Sequence, residues 1–525
     1  MLLSAILWVP VVFGLAGMAV PRRLVGWWAV LGAAVVVGLA VGLLAGFDSN
    51  AAGLQFAEEV DWIPGLGVSY SLGADGLNVF LVLLTAIVWT AGAAYAASRV
   101  HDRPRLFFAA LMVAETATLG AFLAQDLFLF VLFFDLMLIP FYFLFGSWGT
   151  DPAATSAPGG AAGLRATTAL RATTKMFIYT LVGSLLLLVG AIAAAVLAET
   201  PGGELTFSIR ELTGAVAESD QRWLFWLFAA AFLVKMPAFL VHGWMPDAYR
   251  AAPLPALIVF SAVLSKVGAY GFLRNVLPIL PDATVLYQEA MLAIAVVGIL
   301  YGSVMAFTQT SMRLIAGYSS LAQLGFILAG IFALRPDGAD GAVLQMVNHG
   351  IVVAPLLIIV GLLAERTGSD DLRRGGALAM RAPVFAALFL VVTMANLAIP
   401  GSANFIGEFY ILNALFQAKI VFAFLAAAGI ALAAYYALRL YQRTMHGRAP
   451  DDALPSRELR LRDGVVLVPL VACIVTLALY PQLVLQRTEV TATATVAAAT
   501  DPDQADFPAP ADLAGPEPAR AEARP

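Results

Sequence analysis

The sequence predicts an all-α, polytopic membrane protein, and three observations carry that prediction. Of 525 residues, 61% are hydrophobic and 12% are charged, about half the charged share of an average soluble domain. The apolar residues gather into runs near the length of about 20 residues that a bilayer-crossing helix needs. Arginine is distributed unevenly between alternate loops. A net charge of −5, with no basic tail or stripe, gives no expectation of a nucleic-acid partner. The single cysteine, Cys473, cannot hold an iron–sulfur cluster, which takes about four ligands, and cannot form an internal disulfide.

Taken in order, the chain reads as about fourteen transmembrane helices. They fall near 2–20, 24–46, 76–98, 105–124, 126–146, 173–198, 222–243, 253–275, 286–307, 312–334, 341–364, 383–418, 420–442 and 464–484. The first, "MLLSAILWVPVVFGLAGMAV", has no basic residues before its apolar run, so it reads as a retained helix and not a cleaved signal. The seventh contains Pro237, which removes a backbone donor and should kink or open it. The twelfth is too long for one straight crossing and is interrupted by "IPGSANFIGEF". Residues 498–525, rich in Ala, Pro and Asp, read as a disordered polar tail. The spacers are mostly short, which leaves no room for an inserted soluble domain.

Sidedness follows from the arginines. With the N-terminus outside, nineteen arginines fall inside and seven outside, as the positive-inside rule requires. Fourteen crossings then put both termini on the outer side. Only four basic residues are lysines: Lys175, Lys235, Lys266 and Lys419. Lys175 and Lys419 lie near span ends, where snorkelling to headgroups is the default. Lys235 and Lys266 lie near the middle of their spans. So does Asp135, in "FLFVLFFDLMLIPFYFLFG", while Glu408 follows the break in the twelfth span. Glu115 and His349 are also intramembrane.

A charge at the centre of a lone helix costs about 2.5–3.5 kcal/mol on insertion scales. Such groups should therefore face inward and touch one another or water. An Asp–Lys pair in that position keeps both members charged, and separating them moves each toward neutrality, which loads or releases a proton. Lysine and histidine can pass a proton near neutral pH when perturbed, whereas arginine cannot. A single such pair could equally be an inert lock between helices. The series Asp135, Lys235, Lys266, His349 and Glu408, combined with two interrupted helices, points instead to ion conduction. His242, about a turn beyond Pro237, is a candidate gate on the inner side or an ordinary hydrogen-bonded span end. The histidines are too scattered for a metal motif, and there is no phosphate-cradling glycine loop or nucleophile–base pair.

Several stretches resemble the antiporter-like proton-pumping subunits of respiratory complex I, the NADH–quinone oxidoreductase. The resemblance covers roughly residues 60–445, including "FFDLMLIPFYFLFGSWG", "FLVKMPAFLVHGWMPDAY", "LPALIVFSAVLSKVGAYGFLR", "QMVNHGIVVAPLLIIVGLLAERTG" and "MANLAIPGSANFIGEF". It implies two inverted five-helix repeats with helices 7 and 12 broken. The implied organisation is three N-terminal helices in 1–104, repeats in 105–275 and 286–445, and a last helix at 464–484. It also implies roles: Asp135 as the helix-five carboxylate, Lys235 as the broken-helix lysine, Lys266 as the connecting lysine and Glu408 as the exit-side group. His242 and His349 match polar channel positions. The resemblance implies no cofactor in this chain, with NADH, FMN, iron–sulfur clusters and quinone in partner subunits. The partners would be other membrane subunits of complex I, including L-like and N-like neighbours, in a bacterial plasma membrane. Subunits of multi-subunit cation/proton antiporters share the same motifs and are the alternative.

Two departures stand out. The helix-five position usually carries glutamate, and the shorter Asp135 leaves a gap to Lys235 for backbone movement or water to close. The family's usual helix-ten histidine is replaced by Gln323 in "GYSSLAQLGF", where Gly317 suggests a further local break. Glutamine neither takes nor gives a full proton at pH 7, so the implied route between Lys266 and Glu408 runs through water and His349.

Overall fold

The structure is a computed structural model that describes residues 1–51, 53–149, 162–200, 203–448 and 458–501, with the side chains of 162–167 excepted. Most of the predicted tail therefore lies outside the described residues. Fourteen crossings are built from α1 (Leu2–Gly17), α2 (Val25–Ala45), α3 (Val79–Ala97), α4 (Pro104–Leu123), α5 (Leu127–Trp148), α6 (Ala162–Leu197), a broken seventh helix, α8 (Leu254–Ile279), α9 (Gln288–Thr308), α10 (Met312–Phe332), α11 (Pro336–Thr367), a broken twelfth helix, α13 (Ile420–Met445) and α14 (Leu461–Leu479). Among the described residues, eleven of these helices are long and apolar enough to cross a membrane by themselves. The short α1 and the two broken helices complete the set.

The seventh crossing consists of α7a (Glu218–Lys235) and, after a non-helical stretch and one 3-10 turn, α7b (Met245–Ala251). The twelfth consists of α12a (Pro383–Asn396) and α12b (Ala403–Ala418). Each break is fourth in a run of five, α4–α8 and α9–α13. Because five is odd, α9 enters from the face opposite to α4, and the second run is inverted relative to the first.

Two elements on one face were not foreseen. A hairpin of β1 (Gln55–Ile63) and β2 (Val68–Ala74) pairs Glu59 with Ser71 and Asp61 with Ser69. Gly67 turns it with φ +64°, and a side chain there would strike the Leu205 carbonyl, so both conformation and clearance require glycine. Asp126 joins this hairpin to the helices: its carboxylate accepts from Leu129 N at the start of α5 and from Ser69 N, both at 2.9 Å. Beyond α14, a further helix α15 (Gln482–Thr500) lies across the same hairpin face. Thr491 Oγ1 accepts from Gly76 N at 3.2 Å, and α15 packs on α11 and the end of α8. The expected last helix at 464–484 ends at Leu479, and residues 498–500 of the expected tail are helical.

The core is densest where the two runs meet. All of the apolar windows of α8, α10 and α11 are buried inside the protein, against about a third of those of α2 and α13. Helices buried all round have no lipid-facing side on which to place a polar group. Those three helices are therefore where buried polar groups must be satisfied by protein or water. The expected break at Gly317 is absent, because α10 is continuous. Gly317 instead gives clearance to the Tyr249 ring.

Candidate functional site

The break in the seventh helix begins with a missing donor. Pro237 cannot bond the Leu233 carbonyl, and Ala238 N takes that carbonyl at 2.9 Å. The Val234 carbonyl loses its helical partner in turn, and the Trp244 indole N–H reaches back to it at 3.1 Å. The chain then passes Leu240 at φ +82° before resuming as helix. This exchange ends α7a at Lys235, so its ammonium sits at the negative end of a half-helix, where a cation is favoured. The same side chain is 4% exposed, and burial in apolar surroundings opposes the charge. The two effects act against each other at one nitrogen.

Lys235 Nζ donates to the Phe134 carbonyl at 3.0 Å and lies 4.3 Å from the centre of the Phe134 ring. The gap to Asp135 that the shorter side chain implies stays open, since Lys235 Nζ bonds the neighbouring backbone carbonyl. Among the described residues Asp135 has no ion-pair partner, and its Oδ1 has no hydrogen-bond partner. The lysine docks one residue short of the carboxylate. A small cavity beside Lys235 is lined by Met137, Thr180, Trp244, Phe260 and Leu264. α5 itself loosens here, since Pro140 cannot donate to the Leu136 carbonyl and the helix turns at Met137.

Lys266 is fully buried on α8. A π turn at Phe260–Leu264 precedes it, a rare feature concentrated at functional positions. Its Nζ donates to the Ser261 carbonyl at 3.0 Å and to Ser265 Oγ at 3.3 Å, while Tyr249 OH donates to Ser261 Oγ at 2.6 Å. α8 can approach α7a closely because side chains at Gly268 and Gly271 would strike the Phe232 carbonyl and ring. On the other side α11 lies against the π turn, with Gly350 facing the Ala262 carbonyl. The adjacent His349 is fully buried, and neither ring nitrogen has a hydrogen-bond partner.

The twelfth helix unwinds ahead of its proline, where Ala398 N tightens onto the Ala395 carbonyl at 3.1 Å. Ile399 N reaches the Met394 carbonyl at 3.4 Å, Ala398 has φ +55° and Gly401 has φ +89°. Glu408 lies beyond the break, in α12b, and is 3% exposed. Gln323 Nε2 donates to Glu408 Oε1 at 2.8 Å, and Gln345 Nε2 donates to Gln323 Oε1 at 2.6 Å. Asn348 Nδ2 donates to the Ala403 carbonyl at 2.7 Å, bracing the start of α12b. One turn along α10, Ser319 Oγ meets Tyr436 OH at 3.0 Å and Asn396 at 3.3 Å.

The structure thus places Asp135, Lys235, Lys266, His349 and Glu408 in the interior, but no direct hydrogen bond joins any of them to another among the described residues. His242 sits in the 3-10 turn after the break, half-buried between Phe239 and Tyr301, with ring centres 6.0 Å and 4.9 Å away. Lys175 pairs with Asp247 at 2.7 Å, and Lys419 pairs with Glu289 at 2.6 Å, all four side chains being partly exposed. Glu115 is fully buried, with both oxygens unpartnered. Gln345 and Asn348 were missed. Their signal was present in "QMVNHG", three polar side chains at i, i+3 and i+4 of an otherwise apolar span, which share one helix face.

The profile of the family described as "NADH:quinone oxidoreductase/Mrp antiporter, TM" matches residues 124–433. The chain belongs to this family. The match spans both breaks and all six predicted site residues. Among relatives, the NADH-quinone oxidoreductase subunit M of Rhodobacter capsulatus is 36% identical over 471 residues, covering 87% of this chain and 88% of the relative. The NAD(P)H-quinone oxidoreductase chain 4 2 of Thermosynechococcus vestitus is 34% identical over 483 residues, covering 90% and 87%. A chain of the respiratory complex I from Thermus thermophilus with bound NADH superposes with a TM-score of 0.84 at 28% identity, covering 95% of this chain and all of that one. A chain of the Mrp complex from Dietzia sp. reaches 0.80 at 22% identity, a likeness of fold alone.

Proposed function

We propose that this chain is a proton-translocating membrane subunit of an NADH–quinone oxidoreductase. Protons would pass through the buried series Asp135, Lys235, Lys266, His349 and Glu408, with His242 at the entry side. The carrying observation is the burial of Lys235, Lys266 and Glu408 at two helix breaks and one π turn, where backbone groups are free to hydrogen-bond. None of these groups touches the next, so transfer between them needs intervening water or side-chain movement. Moving a charge against 100 mV takes about 2.3 kcal/mol, which corresponds to a change of less than two units in proton affinity at one site. A modest rearrangement around one lysine is therefore enough work for one stroke.

In this reading the redox chemistry, with NADH, FMN, iron–sulfur clusters and quinone, belongs to partner subunits, and this chain carries no cofactor. The partners are other membrane subunits, including L-like and N-like neighbours. The arginine-rich face is the inner side of a bacterial plasma membrane, and the hairpin face is the outer side. The relatives named subunit M support the complex I reading over a cation/proton antiporter, whose likeness lies at lower identity. The test is proton flux driven by NADH in membrane vesicles carrying the Lys235→Met variant, with assembled complex quantified in parallel. Wild-type flux from the assembled variant would overturn the relay.

A further inference from the structure

Gln345 has no role in the reading above, which it extends by resting on Glu408 as a proton-carrying group. Gln345, Gln323 and Glu408 come from α11, α10 and α12b and form a string closed to solvent, the two amides being 0% and 2% exposed. Gln345 Nε2 donates to Gln323 Oε1, and Gln323 Nε2 donates to Glu408 Oε1. Gln345 Oε1 has no hydrogen-bond partner and lies against Gly407, where any side chain would collide with it. Nothing polar therefore fixes which end of the Gln345 amide faces Gln323.

An amide carries both donors and an acceptor, so the string can run in either direction. As it stands, it delivers an N–H to a carboxylate. With both amides turned over, Gln323 Nε2 would donate to Gln345 Oε1 and Gln323 Oε1 would accept from a protonated Glu408. Both charge states of Glu408 then find a matching partner, and Gln323 is never left with an unmatched group. We propose that Gln345 is a positioning residue that makes this reversal possible, so that Gln323 serves Glu408 in its ionised and protonated forms without itself titrating.

The surroundings leave the string in control. On α13, the buried Tyr436 OH meets Ser319 Oγ, one turn from Gln323 along α10. On α11, His349 lies one turn beyond Gln345 and Asp340 lies toward the hairpin face. α10 carries Arg313 and Tyr318 toward its other end, α14 carries Cys473 at mid-length and Arg462 and Asp463 at its start, and α12a carries no titratable side chain.

The experiment compares Gln345→Met and Gln345→Glu in the assembled complex, reading NADH-driven proton flux per complex from pH 5.5 to about 9. Methionine keeps the volume and removes the string's far end, leaving one group of Gln323 unmatched in each state. Flux is expected to fall about tenfold at every pH. A protonated glutamic acid can donate and accept, whereas an ionised one only accepts. Gln345→Glu should therefore retain flux at acid pH and lose it on an alkaline limb absent from the wild type. Wild-type flux in Gln345→Met, or a Gln345→Glu profile parallel to wild type, would overturn the proposal. Glu408→Gln is the control: if it pumps normally, the reading of Glu408 has failed. If it is inactive while Gln345→Met is normal, only the role of Gln345 has.

Discussion

The two broken helices place opposite charges on opposite sides of their breaks. In the seventh crossing the cation, Lys235, ends the first half, and it is held by a backbone carbonyl and an aromatic ring. In the twelfth the anion, Glu408, lies in the second half, and it is held by a chain of side-chain amides. Both arrangements suit the half-helix they sit on, although Glu408 is more than a turn from the end and gains little from the dipole. The difference lies in what can change. The carbonyl belongs to the α5 backbone, so this partner of Lys235 keeps one polarity and changes its position only as α5 and α7a move relative to each other. The partners of Glu408 can turn about their own bonds while every helix stays in place. One break is suited to respond to mechanical displacement, the other to respond to proton occupancy.

The largest effect should come from Lys235→Met, which removes the titrating group from the displacement-sensitive side. NADH-driven proton flux is expected to drop by about a hundredfold, within the range for losing a proton-transfer group, with assembly retained. Next is Glu408→Gln, expected to lower flux about tenfold or more, while Glu408→Asp keeps a measurable fraction. Equal flux from those two variants would remove the contrast, since Glu408 would then be a structural residue of α12b.

Asp135 sharpens the comparison further. Asp135 makes no ion pair or hydrogen bond to Lys235, so a carboxylate one methylene longer extends toward the lysine without displacing an existing contact between them. Asp135→Glu should stay within about twofold of wild type, whereas Asp135→Asn removes the nearest anion and should fall about tenfold. Overpacking of a buried site typically costs about 1–3 kcal/mol. A poorly active glutamate variant would therefore indicate that α5 and α7a close together during turnover. The smallest effect is expected from Trp244→Phe, which leaves the Val234 carbonyl unpaired at the first break. A loss of about 1 kcal/mol of stability, seen as a lower thermal midpoint of the solubilised complex with flux within about twofold, would mark the indole as a brace for the break.

Much of this was legible in the sequence because membrane segments obey strict rules. Pro237 announced the first break through its missing donor, the run "IPGSANFIGEF" announced the second, and the buried charges announced themselves through their cost. The hairpin at 55–74 was not legible, because its exposed Val60 and Trp62 blur the alternation expected of a strand. α15 was missed for a related reason. The side it buries carries Thr488, Thr491 and Thr495, whose hydroxyls hide an amphipathic pattern from any count of apolar residues. The resting partner of Lys235 was not legible, because spans give depth, and two groups at one depth need not point at each other. Gln345 was passed over because an uncharged residue carries no insertion penalty large enough to demand an explanation.

The π turns of α8 change how this helix must be aligned with others. Each inserts one residue beyond the regular repeat, and one residue is about 100° of rotation. Ser265–Gly271 lies between two such turns, Phe260–Leu264 and Phe272–Val276, so its angular register differs from that of both ends. Removing one residue from the first turn would leave a segment only one residue shorter than 26, still ample to cross the bilayer. It would nonetheless swing Lys266 by more than a quarter of a turn. In this helix a single-residue gap is equivalent to moving the lysine to a different face.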